Sequence, residues 1–207
     1  MPVGQVSAAY AGRAADYIDA LGRIECTAEQ DRAMIGAWAG GVDGLVLDVG
    51  CGPGHWTAWL QDQGRDAEGI DPVAAFIDHA RAAYPRVSFR VGRAEHLDVA
   101  DDSVGGILAW YSLIHTPPAD IPAVLGEFAR VLAPGGSLAV GFFDGPDLTP
   151  FNHQVTTAYF WPIAALTQRI EDAGFTVTAR HSRTDPGARP HAAIVARRQP
   201  TGRIQPR

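Results

Sequence analysis

Two periodicities alternate along this chain. Short apolar runs of strand length occur at Leu45 to Val49, Ala67 to Ile70, Val87 to Val91, Val104 to Trp110 and Ser137 to Phe143. The segments between them carry apolar residues at helical spacing, which predicts helices over Trp56 to Gln63, Val73 to Tyr84 and Ile121 to Leu132. In the last of these, Leu125, Phe128 and Leu132 share one face. Strands alternating with helices in this way specify a parallel sheet joined by crossover helices. Nearer the carboxyl end, a helix over Pro162 to Ala173 is stopped by Gly174, and Phe175 to Arg180 and Ala192 to Ala196 follow as two strands of a terminal hairpin. Ahead of the first strand, Ser7 to Leu21 and Ala28 to Trp38 read as helices, with Thr27 as a cap for the second. The stretch from Phe142 to Trp161 is rich in aromatics and proline but has no clear period, and is expected to shape a substrate pocket.

The 207 residues suit one domain, large enough for a full sheet with helices on both faces. Hydrophobic residues at 46% and charged residues at 19% describe an ordinary folded globule. No apolar run reaches membrane-spanning length, and Met1 to Gln5 lacks signal-peptide character, so a cytoplasmic protein is expected. Two cysteines, Cys26 and Cys51, make neither a disulfide framework nor a metal motif; His181 and His191 also lack metal-ligand companions, and no metal is expected. All 17 basic residues are arginine, which excludes Schiff-base catalysis and the lysine-bearing phosphate loop. A net charge of -6 argues against a nucleic-acid partner and makes a small-molecule substrate the default.

The densest local signal is Val46-Leu47-Asp48-Val49-Gly50-Cys51-Gly52-Pro53-Gly54-His55-Trp56, an apolar strand running into a glycine turn that opens a helix. Gly50, Gly52 and Gly54 let the backbone turn sharply and approach a ligand closely, while the free amides of the following helix point at the same place. A dinucleotide fingerprint would place its third glycine where His55 stands. Asp71, about twenty residues on, ends the next apolar stretch at the distance where a carboxylate grips ribose hydroxyls. Its alternative role is to cap the helix beginning near Val73. Together, D-V-G-C-G-P-G and G-I-D-P resemble the first two motifs of the class I S-adenosylmethionine-dependent methyltransferases, of the small-molecule, UbiE-like type. Their cofactor has an adenosine and an amino-acid tail but no phosphate.

Further motifs follow in the family's order. Val91 to Leu97 looks like the adenine-binding turn. There the resemblance transfers the amide of Ala94, and leaves open whether Glu95 supplies the acceptor or Arg93 lies along the adenine. Arg130 to Gly136 resembles the motif that ends the fourth crossover helix, with Pro134, Gly135 and Gly136 turning the chain. The resemblance implies an α/β fold with a Rossmann-like seven-stranded sheet, mostly parallel with an antiparallel terminal hairpin. Helices cover both faces of a single domain at residues 41–197, with an N-terminal helical lid at 1–40 and a flexible tail at 198–207. It implies S-adenosylmethionine held by Tyr17, Asp48, Gly50, Cys51, Gly52, Gly54, Asp71, Pro72, Ala94, Glu95 and Trp110.

His115 follows the fourth strand, where substrates of open α/β folds bind, and is the candidate general base. It is equally suited to supporting the start of the next helix, and positioning alone supports many methyl transfers. Thr116-Pro117-Pro118-Ala119 fails as the N-P-P-aromatic motif of enzymes that methylate nucleic-acid bases, because both its asparagine and its aromatic are missing. The expected function is methyl transfer to O, N or C of a small molecule. The alternatives are an NAD-dependent oxidoreductase and a non-catalytic S-adenosylmethionine-binding protein.

Overall fold

A computed structural model describes residues 3–200. Two short helices, α1 (Val3–Ala11) and α2 (Ala14–Leu21), precede a 3-10 turn at Ile24–Cys26 and helix α3 (Glu29–Gly40). The α/β core then runs β1 (Val46–Val49), α4 (His55–Asp62), β2 (Ala67–Asp71), α5 (Ala74–Ala83), β3 (Ser88–Val91), β4 (Val104–Trp110), α6 (Ile121–Val131) and β5 (Leu132–Asp144). A hairpin of β6 (Thr149–Asn152) and β7 (Thr157–Trp161), helix α7 (Ile163–Asp172), β8 (Phe175–Arg183) and β9 (His191–Arg198) complete it.

Strands β3, β2, β1, β4 and β5 lie side by side and all parallel, and β9 joins β5 antiparallel with β8 outside it. Successive side chains of a strand face opposite ways, and the core divides accordingly. Leu47, Val49, Ile107, Ala109 and Val140 pack with α6 and α7 residues such as Phe128 and Ile170. Val46, Leu108 and Ala139 pack with Ile35 and Trp38 of α3 and Leu60 of α4. Both faces of the central strands are therefore buried, which explains their continuous apolar runs. Trp38 extends its indole N–H to the Ser137 hydroxyl at 2.8 Å, so the polar handle of this buried ring is satisfied.

Four expectations need correction. The helix expected over residues 7–21 is broken: Gly12 bonds back to the Ala8 carbonyl, and Arg13 takes a non-helical conformation before α2 begins. Thr27 does not cap α3, because its hydroxyl donates to the Ile24 carbonyl at 2.6 Å and closes the preceding turn. Nine strands are present among the described residues rather than seven. The additional pair, β6 and β7, arises inside the aromatic stretch after β5. Past the last β4 pair, Trp110 with Gly141, the same edge of β5 takes β7 in parallel through Phe143 and Asp144. Finally, the tail was expected from residue 198, yet Arg198 is the last residue of β9. The Arg198 guanidinium is bonded to the Leu132 carbonyl and to Asp102. Residues 201–207 of the expected tail lie outside the described residues. No helix among the described residues is long and apolar enough to cross a membrane.

Candidate active site

A cavity of about 530 Å³ opens at the carboxyl ends of β1 to β5 and is lined on its far side by α1 and α2. After β1 the chain turns within one residue, and the Gly50 and Cys51 amides both donate to the Ile70 carbonyl, at 2.7 and 3.1 Å. Gly50 sits at φ +78, and a Cβ there would lie 2.2 Å from the Ser112 Cβ. Gly52 sits at φ +54, and a Cβ there would meet nothing nearer than Tyr17 Cε1 at 4.0 Å, so its open side faces the cavity. Gly54 differs from both. It precedes α4 at φ +88, where a Cβ would press on Phe89 and Ala80 at 2.7 and 2.8 Å, and it is not on the cavity wall.

Two buried carboxylates support this loop. Asp71 accepts the Gly52 amide at 2.9 Å on one oxygen and the Val73 amide at 2.8 Å on the other, so it both pins the glycine turn and starts α5. Burial pushes its carboxyl up to about 6 despite those two amides. Asp48, within β1, accepts the Thr57 hydroxyl at 2.7 Å and thereby ties α4 to the sheet. Burial, reinforced by the charge of Asp71, pushes Asp48 up to about 7. Burial likewise drives the Cys51 thiol well above its ordinary range, so it is not a nucleophile. On the same wall, His55 Nδ1 and Ser112 Oγ are buried without a hydrogen-bond partner. Burial holds the His55 imidazole down at about 4, hence neutral.

His115 is fixed at both nitrogens. Its Nδ1 lies 2.7 Å from the Thr157 carbonyl of β7, which only accepts, and this assigns the proton to Nδ1. Nε2 then accepts from the Tyr10 hydroxyl of α1 at 2.8 Å. Burial lowers the His115 pKa, partly opposed by the Thr157 carbonyl, so the ring is neutral near physiological pH. Beyond His115, the rings of His153, Phe143, Tyr111 and His191 continue the wall. Tyr111 is held in the left-handed region at φ +54, a strained conformation for an aromatic residue.

The structure thus brings Tyr17, Asp48, Gly50, Cys51, Gly52, Asp71, Pro72, Ala94, Glu95, Trp110 and His115 onto one cavity, and leaves Gly54 outside it. Arg93 also lines it, paired with Glu95 at 3.7 Å. Also on the wall, and not predicted from the sequence, are Tyr10, Asp31, Tyr111, His153, Arg183 and His191. No motif marks them. Among the described residues, no group of three or more His, Cys, Asp or Glu side chains is arranged to hold a metal ion.

A doubly wound sheet with a glycine turn after β1, an acidic residue ending β2 and an antiparallel β9 defines a class of adenosine-cofactor enzymes binding at the sheet's carboxyl edge. Residues 46–136 match the methyltransferase domain family. The chain is 35% identical over 140 residues to a probable S-adenosylmethionine-dependent methyltransferase of Mycolicibacterium smegmatis, covering 64% of this chain and 52% of that protein. It is 30% identical over 145 residues to the malonyl-[acyl-carrier protein] O-methyltransferase of Yersinia pestis, covering 68% of this chain and 53% of that protein. It therefore spans about half the length of these two relatives. Burkholderia thailandensis 1,6-didemethyltoxoflavin-N1-methyltransferase, solved with 1,6-didemethyltoxoflavin and S-adenosylhomocysteine, superposes with a TM-score of 0.80 at 20% identity, over 96% of this chain and 89% of that one. Residues 46–136 thus carry a methyltransferase domain, and the chain is similar to S-adenosylmethionine-dependent methyltransferases.

Proposed function

We propose that this chain transfers a methyl group from S-adenosylmethionine to an oxygen, nitrogen or carbon of a small-molecule acceptor. The observation that supports this most directly is one continuous cavity with two unlike halves. The glycine turn and Asp71 line one, and His115 with its aromatic neighbours lines the other. The residues present fit the cofactor. Gly52 leaves space that a Cβ would fill, and the buried, unpartnered His55 Nδ1 and Ser112 Oγ face the same cavity. The bound cofactor supplies an electrophilic methyl on a positively charged sulfur.

Gly50, Cys51 and Gly52 hold the amino-acid end, with Asp48 beneath them and Tyr17 and Trp110 alongside. Each Asp71 oxygen keeps a second lone pair for the ribose hydroxyls. Pro72 borders that site, and Ala94 and Glu95 flank the adenine. Gly54 serves the site from outside, by letting the turn before α4 come close to Phe89 of β3 and Ala80 of α5. Helices α1 and α2 act as a lid: Tyr10 closes on His115, and Arg13 reaches the Gln154 carbonyl at 2.5 Å. When an acceptor hydroxyl or amine replaces Tyr10 at Nε2, the neutral imidazole takes its proton, and the imidazolium keeps the Thr157 carbonyl as partner. We assign residues 1–40 to the amino-terminal segment that carries the lid, and 41–198 to the catalytic domain. A cytoplasmic setting and a non-nucleic-acid substrate complete the reading.

Calorimetry tests it. S-adenosylmethionine is expected to bind at micromolar levels and NADH not to bind; the reverse result overturns the assignment. Asp71→Asn, which retains one acceptor oxygen, is expected to weaken S-adenosylmethionine binding at least tenfold, equivalent to about 1.4 kcal/mol. Unchanged affinity removes Asp71 from the ribose site.

A further inference from the structure

The half of the cavity beyond His115 has a composition that specifies its occupant. Its wall centres on the ring of Phe143, at the end of β5, with Tyr111 at 5.2 Å, His191 at 5.7 Å and His153 at 6.0 Å between centroids. This wall is rigid. The Tyr111 amide donates to the Gly141 carbonyl at 3.0 Å, and the Tyr111 hydroxyl is 2.5 Å from His191 Nδ1. Local strain at Tyr111, φ +54, persists only where surrounding contacts over-determine it, as these do.

Charge on this wall comes from its arginines. Arg183 is paired with Asp31 at 2.5 Å and with Asp185 at 2.7 Å. Arg13, nearer the lid, is turned to the Gln154 carbonyl. Arg189 lies over the rings of Phe143 and Phe151, 5.9 and 4.8 Å from their centroids. The histidines add no cation, since burial holds His153 down at about 4 and lowers His115 and His191 as well. What is unspent is a hydrogen-bonding atom: His153 Nδ1 is buried and has no partner.

Resting on the methyltransferase reading above, we infer that the acceptor is a planar aromatic molecule bearing a hydroxyl or amino group. It stacks on the Phe143 wall and hydrogen-bonds with His153. Aromatic faces reward a flat π-system beyond its buried area.

The test uses three probes of one skeleton: 2-naphthol, 2-naphthoate and decahydro-2-naphthol. Each is titrated calorimetrically into the protein, with and without saturating S-adenosylhomocysteine. 2-Naphthol is expected to bind at least tenfold more tightly than decahydro-2-naphthol and more tightly than 2-naphthoate, which lacks the hydroxyl. Phe143→Leu, which keeps bulk but removes the ring, is expected to reduce that preference over decahydro-2-naphthol at least fivefold without changing S-adenosylhomocysteine affinity. Equal binding of the saturated alcohol overturns the aromatic requirement, tighter binding of 2-naphthoate overturns the hydroxyl or amino requirement, and failure of all three overturns the inference. Loss of S-adenosylhomocysteine binding alone instead strikes the cofactor reading, because the probes are also read without it.

Discussion

Gly52→Ala separates the structural from the ligand-facing use of the glycine turn. At φ +54 an alanine pays the left-handed penalty, about 1–2 kcal/mol. It meets no steric wall, because Tyr17 Cε1 at 4.0 Å is the nearest heavy atom to the added Cβ. For a chain of this size that loss lowers Tm by about 2–8 °C, leaving a folded protein. The methyl group would occupy space assigned to the amino-acid end of the cofactor, so S-adenosylhomocysteine affinity is expected to fall at least tenfold. Gly50→Ala is the companion. It carries the same left-handed penalty plus a Cβ contact of 2.2 Å with Ser112, an overpacking cost of about 1–3 kcal/mol, for a total near 2–5 kcal/mol. Thermal melts rank the two variants, and calorimetry at a temperature where both remain folded reads the affinity. A Gly52→Ala protein that melts a few degrees lower yet binds S-adenosylhomocysteine like the wild type refutes the placement of a ligand against this loop.

Gly54→Ala should behave in the opposite sense: φ +88 and contacts of 2.7–2.8 Å with Phe89 and Ala80 destabilise it by about 2–5 kcal/mol, while folded protein at low temperature retains cofactor affinity, measured by calorimetry. Tyr10→Phe removes the donor that favours neutral His115, so NMR titration should show the His115 pKa rising; no movement means the Tyr10 contact is absent in solution. Asp48 has a folded-state pKa of about 7 against an ordinary 3.8, so between those values the folded state holds the extra proton. Stability is therefore lost as pH rises from about 4 through about 7 and is level above. Asp48→Asn keeps an acceptor for Thr57 and removes this loss, so the variant should gain on the wild type across that window by something on the order of a few kcal/mol, read from urea titrations at several pH values. A constant difference would mean Asp48 titrates normally.

The parallel core was legible because β1, β2, β4 and β5 are buried on both faces and read as unbroken apolar runs between helical spacings. The half of the cavity proposed for the cofactor stands out in the sequence for a related reason: it is built from backbone, so glycine spacing and one acidic residue mark it. The half proposed for the acceptor is built from side chains of separate segments. Tyr111 follows β4, Phe143 ends β5, His153 lies between β6 and β7, and His191 starts β9. No local period connects them. The β6–β7 hairpin was hidden by its shortness and by Pro150. Proline is tolerated there because β6 is an edge strand paired only with β7, whereas in a central strand it would remove a ladder bond. The helix break at Gly12 and Arg13 was missed because apolar spacing continues through it. Only the fold requires Tyr10 to meet His115.

Asp71 shows why a structural and a functional account of one residue need not compete. Its oxygens already take the Gly52 and Val73 amides, the roles expected of a turn and helix cap. Two such bonds should depress a carboxyl, yet burial leaves it near 6, so the local donors under-compensate for desolvation. A carboxylate oxygen offers two lone pairs, and one on each remains for a further donor. A pair of ribose hydroxyls would supply what the protein alone does not, stabilising the charged form and, through it, the turn that Asp71 holds. Binding at this carboxylate and order in the glycine loop are then the same event. Replacing Asp71 by alanine would release the loop and the ligand together, whereas asparagine keeps an acceptor for one amide and isolates the lost charge.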